Sequence, residues 1–165
     1  MVKSIAVSSV AIVLLTASLS AKGDTTKITV HDAALQTSVD ITDPSVLKDF
    51  NVWAGPGTYL NGVEGTQGFI VDWPAGIARD RPKGLRRYEV TFYVRSRNSS
   101  AEEAAYVVLY EHDPLSGRGF VYLPGRSDEH YGTNTRAIYR HGLEGHWFHA
   151  SARWQTAVDS VLAAP

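Results

Sequence analysis

Residues 87–95 alternate between two kinds of side chain, with Tyr93 the one aromatic ring on the polar side. Tyr88, Val90, Phe92 and Val94 fall on one side, while Arg87, Glu89, Thr91 and Arg95 fall on the other. A period of two over this length specifies a strand with one face on a core and one face in water. Such a strand cannot stand alone, and the neighbouring sequence supplies partners for it. Residues 104–111 are apolar on both faces, as expected of a central strand. Residues 113–119, with Pro114, Gly117 and Gly119, turn the chain, and residues 120–123 return antiparallel. Upstream, residues 27–31 and 38–42 repeat the alternation, with Ile28 and Val30 and then Val39 and Ile41 inward, and read as a hairpin.

Two helices complete the expectation. Asp43 is placed to cap and Pro44 suits the first helical position, so Val46, Leu47 and Phe50 form the stripe of a helix of about two turns. Ser151 caps a C-terminal helix whose Trp154, Ala157, Val158, Val161 and Leu162 line one face. Residues 69–73 read as a further buried strand, residues 146–149 as a possible last one, and residues 135–140 as a short helix or strand. The sequence therefore predicts an α+β fold. It is a single domain with a mainly antiparallel sheet of about five to seven strands, a short N-terminal helix and a C-terminal helix.

The first 21 residues stand apart from this pattern. Lys3, a short apolar stretch through Leu15 and small residues to Ala21 are the three parts of a secretory signal peptide. The expected domains are thus a signal peptide, 1–21, and one folded domain, 22–165. Removing the leader takes only Lys3 from the 16 basic residues, leaving 144 residues with 15 basic and 17 acidic side chains, a charge of −2. That balance argues against a nucleic-acid partner, which calls for a basic excess. The apolar stretch is broken by Ser8, Ser9 and Thr16, so no stable transmembrane span is expected once the leader is cut. The chain has no cysteine. Export without disulfides points to a bacterial periplasm, cell surface or medium.

Four of the six histidines, His130, His141, His146 and His149, lie within twenty residues, near Asp128, Glu129 and Glu144. A small hydrolase, with or without a metal, would draw on His130, Asp128, His146 and His149. No HExxH spacing is present, and on a strand His146 and His149 point to opposite faces, so no metal site and no cofactor is expected. Ser116 lies in a turn that backbone geometry explains, without a GxSxG setting. Gly55-Pro56-Gly57 lacks the strand–loop–helix context of a phosphate loop.

The signal with most chemistry is charge beside aromatic rings. Arg79, Arg81, Lys83, Arg86 and Arg87, offset by Asp80, give +4 over nine residues. Such a segment suits an anionic polysaccharide, lipid headgroups or an acidic partner, although basic residues also guard sheet edges. Trp53, Tyr59 and Trp73 flank loops, and Tyr122 and Tyr131 bracket another. The expected ligand-binding set is Trp53, Tyr59, Trp73, Arg79, Arg81, Lys83, Tyr122 and Tyr131. The favoured function is a non-enzymatic, exported ligand- or protein-binding module of the bacterial cell envelope. The hydrolase and a structural subunit of an envelope assembly are the alternatives.

Residues 41–44 followed by 50–57, and Gly119 to Gly125 followed by Tyr131, Asn134 and Thr135, are similar to a pattern in a family of uncharacterised exported bacterial proteins. The resemblance implies a bacterial, exported, single-domain chain and assigns no activity, ligand or catalytic residue.

Overall fold

The computed structural model describes residues 23–95 and 100–162; the expected leader lies outside the described residues. The chain forms β1 (Asp24–Asp32), β2 (Thr37–Ile41), α1 (Pro44–Leu47), β3 (Tyr59–Leu60), β4 (Val63–Glu64), β5 (Arg86–Arg95), β6 (Glu102–Asp113), β7 (Arg118–Tyr122), α2 (Tyr131–Ala137), β8 (Trp147–His149) and α3 (Ala152–Leu162). Six strands make one antiparallel sheet in the order β2-β1-β5-β6-β7-β8, and β3 pairs with β4 apart from it. The fold is α+β, as the alternation predicts. No helix among the described residues is long and apolar enough to cross a membrane.

The register separates the sheet into two chemically distinct faces. Val30, Val90 and Val108 lie in one row, and Ile28, Phe92 and Tyr106 in the next, on the face that carries α3. Trp154 and Val158 of α3 are fully buried on it, and Trp154 meets the rings of Phe50 and Tyr110 edge-on at 5.2 and 5.9 Å. Truncating a buried tryptophan of this kind costs about 3–5 kcal/mol. The second face carries Lys27, Thr29 and His31, then Arg87, Glu89 and Thr91, then Leu109 and Glu111, and finally Phe120, Tyr122, Trp147 and His149.

Local chemistry sets the ends of the elements. Asp43 accepts from the Ser45 amide at 2.8 Å and caps α1, but α1 is a single turn rather than two. Ser151 Oγ accepts from the Trp154 amide at 3.3 Å and opens α3. The third helix, α2, begins four residues earlier than residues 135–140. Residues 69–73 are a correction: Phe69, Ile70 and Val71 are buried, yet they form no strand. Phe69 has φ +70° after Gly68, and residues 73–75 close into a 3-10 turn, so only the Val71–Ala150 bridge survives. Val39 also differs. It lies on the α3 side of β2, but α3 does not cover it and it is 42% exposed.

Residues 71–78 instead run along β8. The Asp72 amide donates to the His149 carbonyl at 2.9 Å and the Ala78 amide to the Trp147 carbonyl at 2.8 Å. This takes up the outer side of β8. β7 reaches β6 only from Leu109 onward, and beside the uncovered half stands Asn134 of α2. Its side chain accepts the Val107 amide at 2.8 Å and donates to the Val107 carbonyl at 2.7 Å.

Arg140 is fully buried, and among the described residues no carboxylate pairs with its guanidinium. It donates to the carbonyls of Ala54 and Pro56 at 3.0 Å, to that of Val52 at 2.7 Å, and to the Tyr106 hydroxyl at 3.2 Å. Its guanidinium carbon lies 5.0 Å from the ring centres of Phe69 and Trp73 and 5.4 Å from that of Tyr106. Burial lowers the Arg140 pKa, while Tyr106 and Glu144 oppose that shift. One side chain thereby ties the irregular 52–56 segment to the sheet.

Candidate functional site

The second face converges on Glu111. This carboxylate follows the run Ala104–Tyr110 of β6, which carries no charged residue, and is 1% exposed. Its cross-strand neighbour is Arg87, whose Nε and Nη2 both lie 3.0 Å from Oε1. Arg81, from the loop before β5, donates to Oε2, so both oxygens are engaged. A buried carboxylate needs such partners, because an unpaired one would be strongly disfavoured.

Arg81 is held from a second side by Trp147, whose ring centre lies 4.2 Å from the guanidinium carbon; that of Arg87 is 5.8 Å away. Trp147 in turn packs against Tyr122, its partner across β7 and β8, with ring centres 5.1 Å apart and planes at 35°. The Tyr122 hydroxyl donates to Asp128 at 2.8 Å, and the Gly125 amide donates to the same oxygen at 2.7 Å. Burial, followed by the Asp128 carboxylate, pushes the Tyr122 phenol upward. Beyond Trp147, His149 Nε2 lies 3.3 Å from Asp80, which also accepts from Arg118 at 2.6 Å. The hydrogen bond from Arg118 is the largest influence holding the Asp80 carboxyl below its ordinary range, against partial desolvation. The result is a ridge of Tyr122, Trp147, Arg81 and Arg87, fixed from below by Glu111.

The basic segment is less positive than its composition. Arg86 pairs with buried Asp32, and Arg81 and Arg87 share one carboxylate, leaving a surplus of one charge on that triad. Arg79 and Lys83 are exposed and hold no ion pair among the described residues. The segment retains a positive surplus next to the ridge.

The sequence-predicted aromatics do not form one surface. Tyr122 and Arg81 come together, but Trp73 donates from Nε1 to the Gly68 carbonyl at 2.8 Å, packs on Phe148 and borders Arg140. Trp53 is partly buried against the core. Tyr131 opens α2 and is half-buried. Tyr59 is 54% exposed and sits edge-on to His141 at 6.2 Å, beside Tyr139. Trp147 and Glu111 were missing from the predicted set. An antiparallel strand at 146–149 beside β7 is the sequence signal that places Trp147 next to Tyr122.

The four residues of the hydrolase alternative are not brought together. His130 pairs with Glu89 at 3.2 Å, His149 with Asp80, and Asp128 with Tyr122, while exposed His146 turns Nδ1 to the Glu144 carbonyl at 3.2 Å. Among the described residues no group of three or more His, Cys, Asp or Glu side chains is placed to hold a metal ion. A hollow of ≈ 600 Å³ lies elsewhere, lined by Asp24, Thr25, Lys48, Asn51, Arg95 and Glu102 among others.

Compared with known proteins, the chain matches no family model, no curated protein and no solved structure.

Proposed function

We propose that this protein is a non-catalytic binding module, exported to the bacterial cell envelope, that takes an acidic saccharide on the Tyr122–Trp147–Arg81–Arg87 ridge. The observation that carries the reading is the Glu111 clamp. It fixes two guanidiniums beside partly buried aromatic rings while leaving the triad with a positive charge. Fixed donors lose little freedom on binding, and guanidiniums match the geometry of carboxylate and sulfate groups. Aromatic rings offer rigid apolar contact to a sugar ring. Arg79 and Lys83 steer the anion toward the ridge. The leader pattern of residues 1–21 and the absence of cysteine support export.

Calorimetric titration with oligogalacturonate and with a neutral oligosaccharide of the same length tests the reading. The acidic ligand is expected to bind, more weakly at high salt. Trp147→Ala and Arg81→Met, each checked for an intact melting transition, should lower affinity about tenfold or more. Equal affinity for the neutral sugar, or variants that bind as well as the parent, would overturn it.

A further inference from the structure

We propose that the chain self-associates through β2, two copies joining their sheets across a two-fold axis that passes between the two Val39 residues. This is independent of the ligand reading.

The argument begins with how the sheet treats its open sides. The outer side of β8 is taken by residues 71–78, and the uncovered part of β6 by the Asn134 amide. β2 ends the sheet on the other flank, and among the described residues no strand pairs with its outer side. Its residues 37–40 are all exposed. It contains no proline or lysine, and its pairing with β1 is free of bulges, so the charge of Asp40 is the one usual device against strand addition that it carries. On the α3 face the same flank has a groove of ≈ 390 Å³ lined by Leu35, Val39, Tyr88, Val161 and Leu162, with Leu35 61% exposed.

The sequence of β2 favours a second copy over an unrelated strand. A two-fold axis normal to the sheet keeps both α3-bearing faces on one side only when residues of like parity face each other. Three registers then overlap usefully. Centring on Asp40 sets two carboxylates directly opposite, which is repulsive. Centring on Ser38 drives Ile41 against Leu35, in the turn before the strand. Centring on Val39 pairs all five residues: Thr37 with Ile41, Ser38 with Asp40, and Val39 with itself. Asp40 then meets a hydroxyl, the apolar side chains meet on the α3 face, and the two grooves adjoin at the axis.

The absence of cysteine makes the register directly testable with single cysteines in the full chain. Light scattering of the unmodified protein at micromolar concentration should give a dimer, and Val39→Lys, with unchanged circular dichroism, a monomer. Val39→Cys should cross-link with itself on oxidation. Ser38→Cys and Asp40→Cys should each cross-link poorly alone but well when mixed. A monomeric parent, a Val39→Lys protein that stays dimeric, or cross-linking of Ser38→Cys alone as fast as the mixture would overturn the proposal.

Discussion

Asn134 stands beside Val107 as a piece of strand would, its side-chain oxygen on the amide and its side-chain nitrogen on the carbonyl, at 2.8 and 2.7 Å. Asn134 is 1% exposed, so water cannot replace it. Asn134→Ala leaves a buried donor and a buried acceptor unpaired, at about 1–3 kcal/mol each. Asn134→Asp keeps the acceptor but turns an oxygen toward the carbonyl. Both variants should melt lower in thermal denaturation; an unchanged Asn134→Ala would show that the amide is dispensable.

Glu111→Gln should destabilise more than its position in a single strand suggests. The amide offers no charge to two arginines, and breaking a buried ion pair on one side costs about 3–5 kcal/mol. Urea denaturation reads the loss. Saccharide binding should fall with it, because Arg81 loses the anchor that holds it against Trp147.

Tyr110 is expected to behave in the opposite way. Its hydroxyl is buried and has no hydrogen-bond partner among the described residues, and burial pushes the phenol well above its ordinary range. Tyr110→Phe removes a desolvated group that returns nothing, so stability should stay within about 1 kcal/mol of the parent or rise. A substantial fall in melting temperature would reveal a partner for the hydroxyl.

Acid should loosen the hairpin side of the fold. Burial raises the Asp32 carboxyl, but the Leu35 amide, the Arg86 guanidinium and the Ala34 amide outweigh it, so the folded pKa lies below the unfolded one. The resulting stabilisation is present above the unfolded value of about 3.9 and is lost as pH falls through the folded value. Thermal melts across that window should show Asp32→Asn less stable than the parent at neutral pH, with the gap closing in acid. A constant gap would exclude the carboxylate's charge as the cause.

The strands were legible wherever one residue in two was apolar, as in β5, or wherever β-branched and aromatic residues ran together, as in β6. Residues 69–71 carry the same apolar signal, but the left-handed backbone of Phe69 depends on what packs around it and leaves no local trace. Glu111 follows an apolar run in β6, yet its two partners, Arg81 and Arg87, lie 30 and 24 residues upstream and meet it only in the folded sheet. Asn134 was illegible as anything but a polar residue, since its role exists only because β7 stops short of Val107. The basic segment is a cluster in the sequence and a weaker field in the fold, because pairing with Glu111 and Asp32 is a tertiary fact.

The backbone around Arg140 works as a crown ether works on a potassium ion: a neutral, oxygen-lined host closes on a cation and fixes its own shape in doing so. Neither carbonyl oxygens nor a guanidinium changes protonation in mild acid. The carboxylates held below their ordinary range, Asp32 beside Arg86, Asp80 beside Arg118, Asp43 beside Ser45 and Asp113 beside Ser116, take no part in this host and lie outside it. Acidification should therefore open the molecule unevenly, releasing its carboxylate-held loops while the 52–56 segment stays wrapped on its guest.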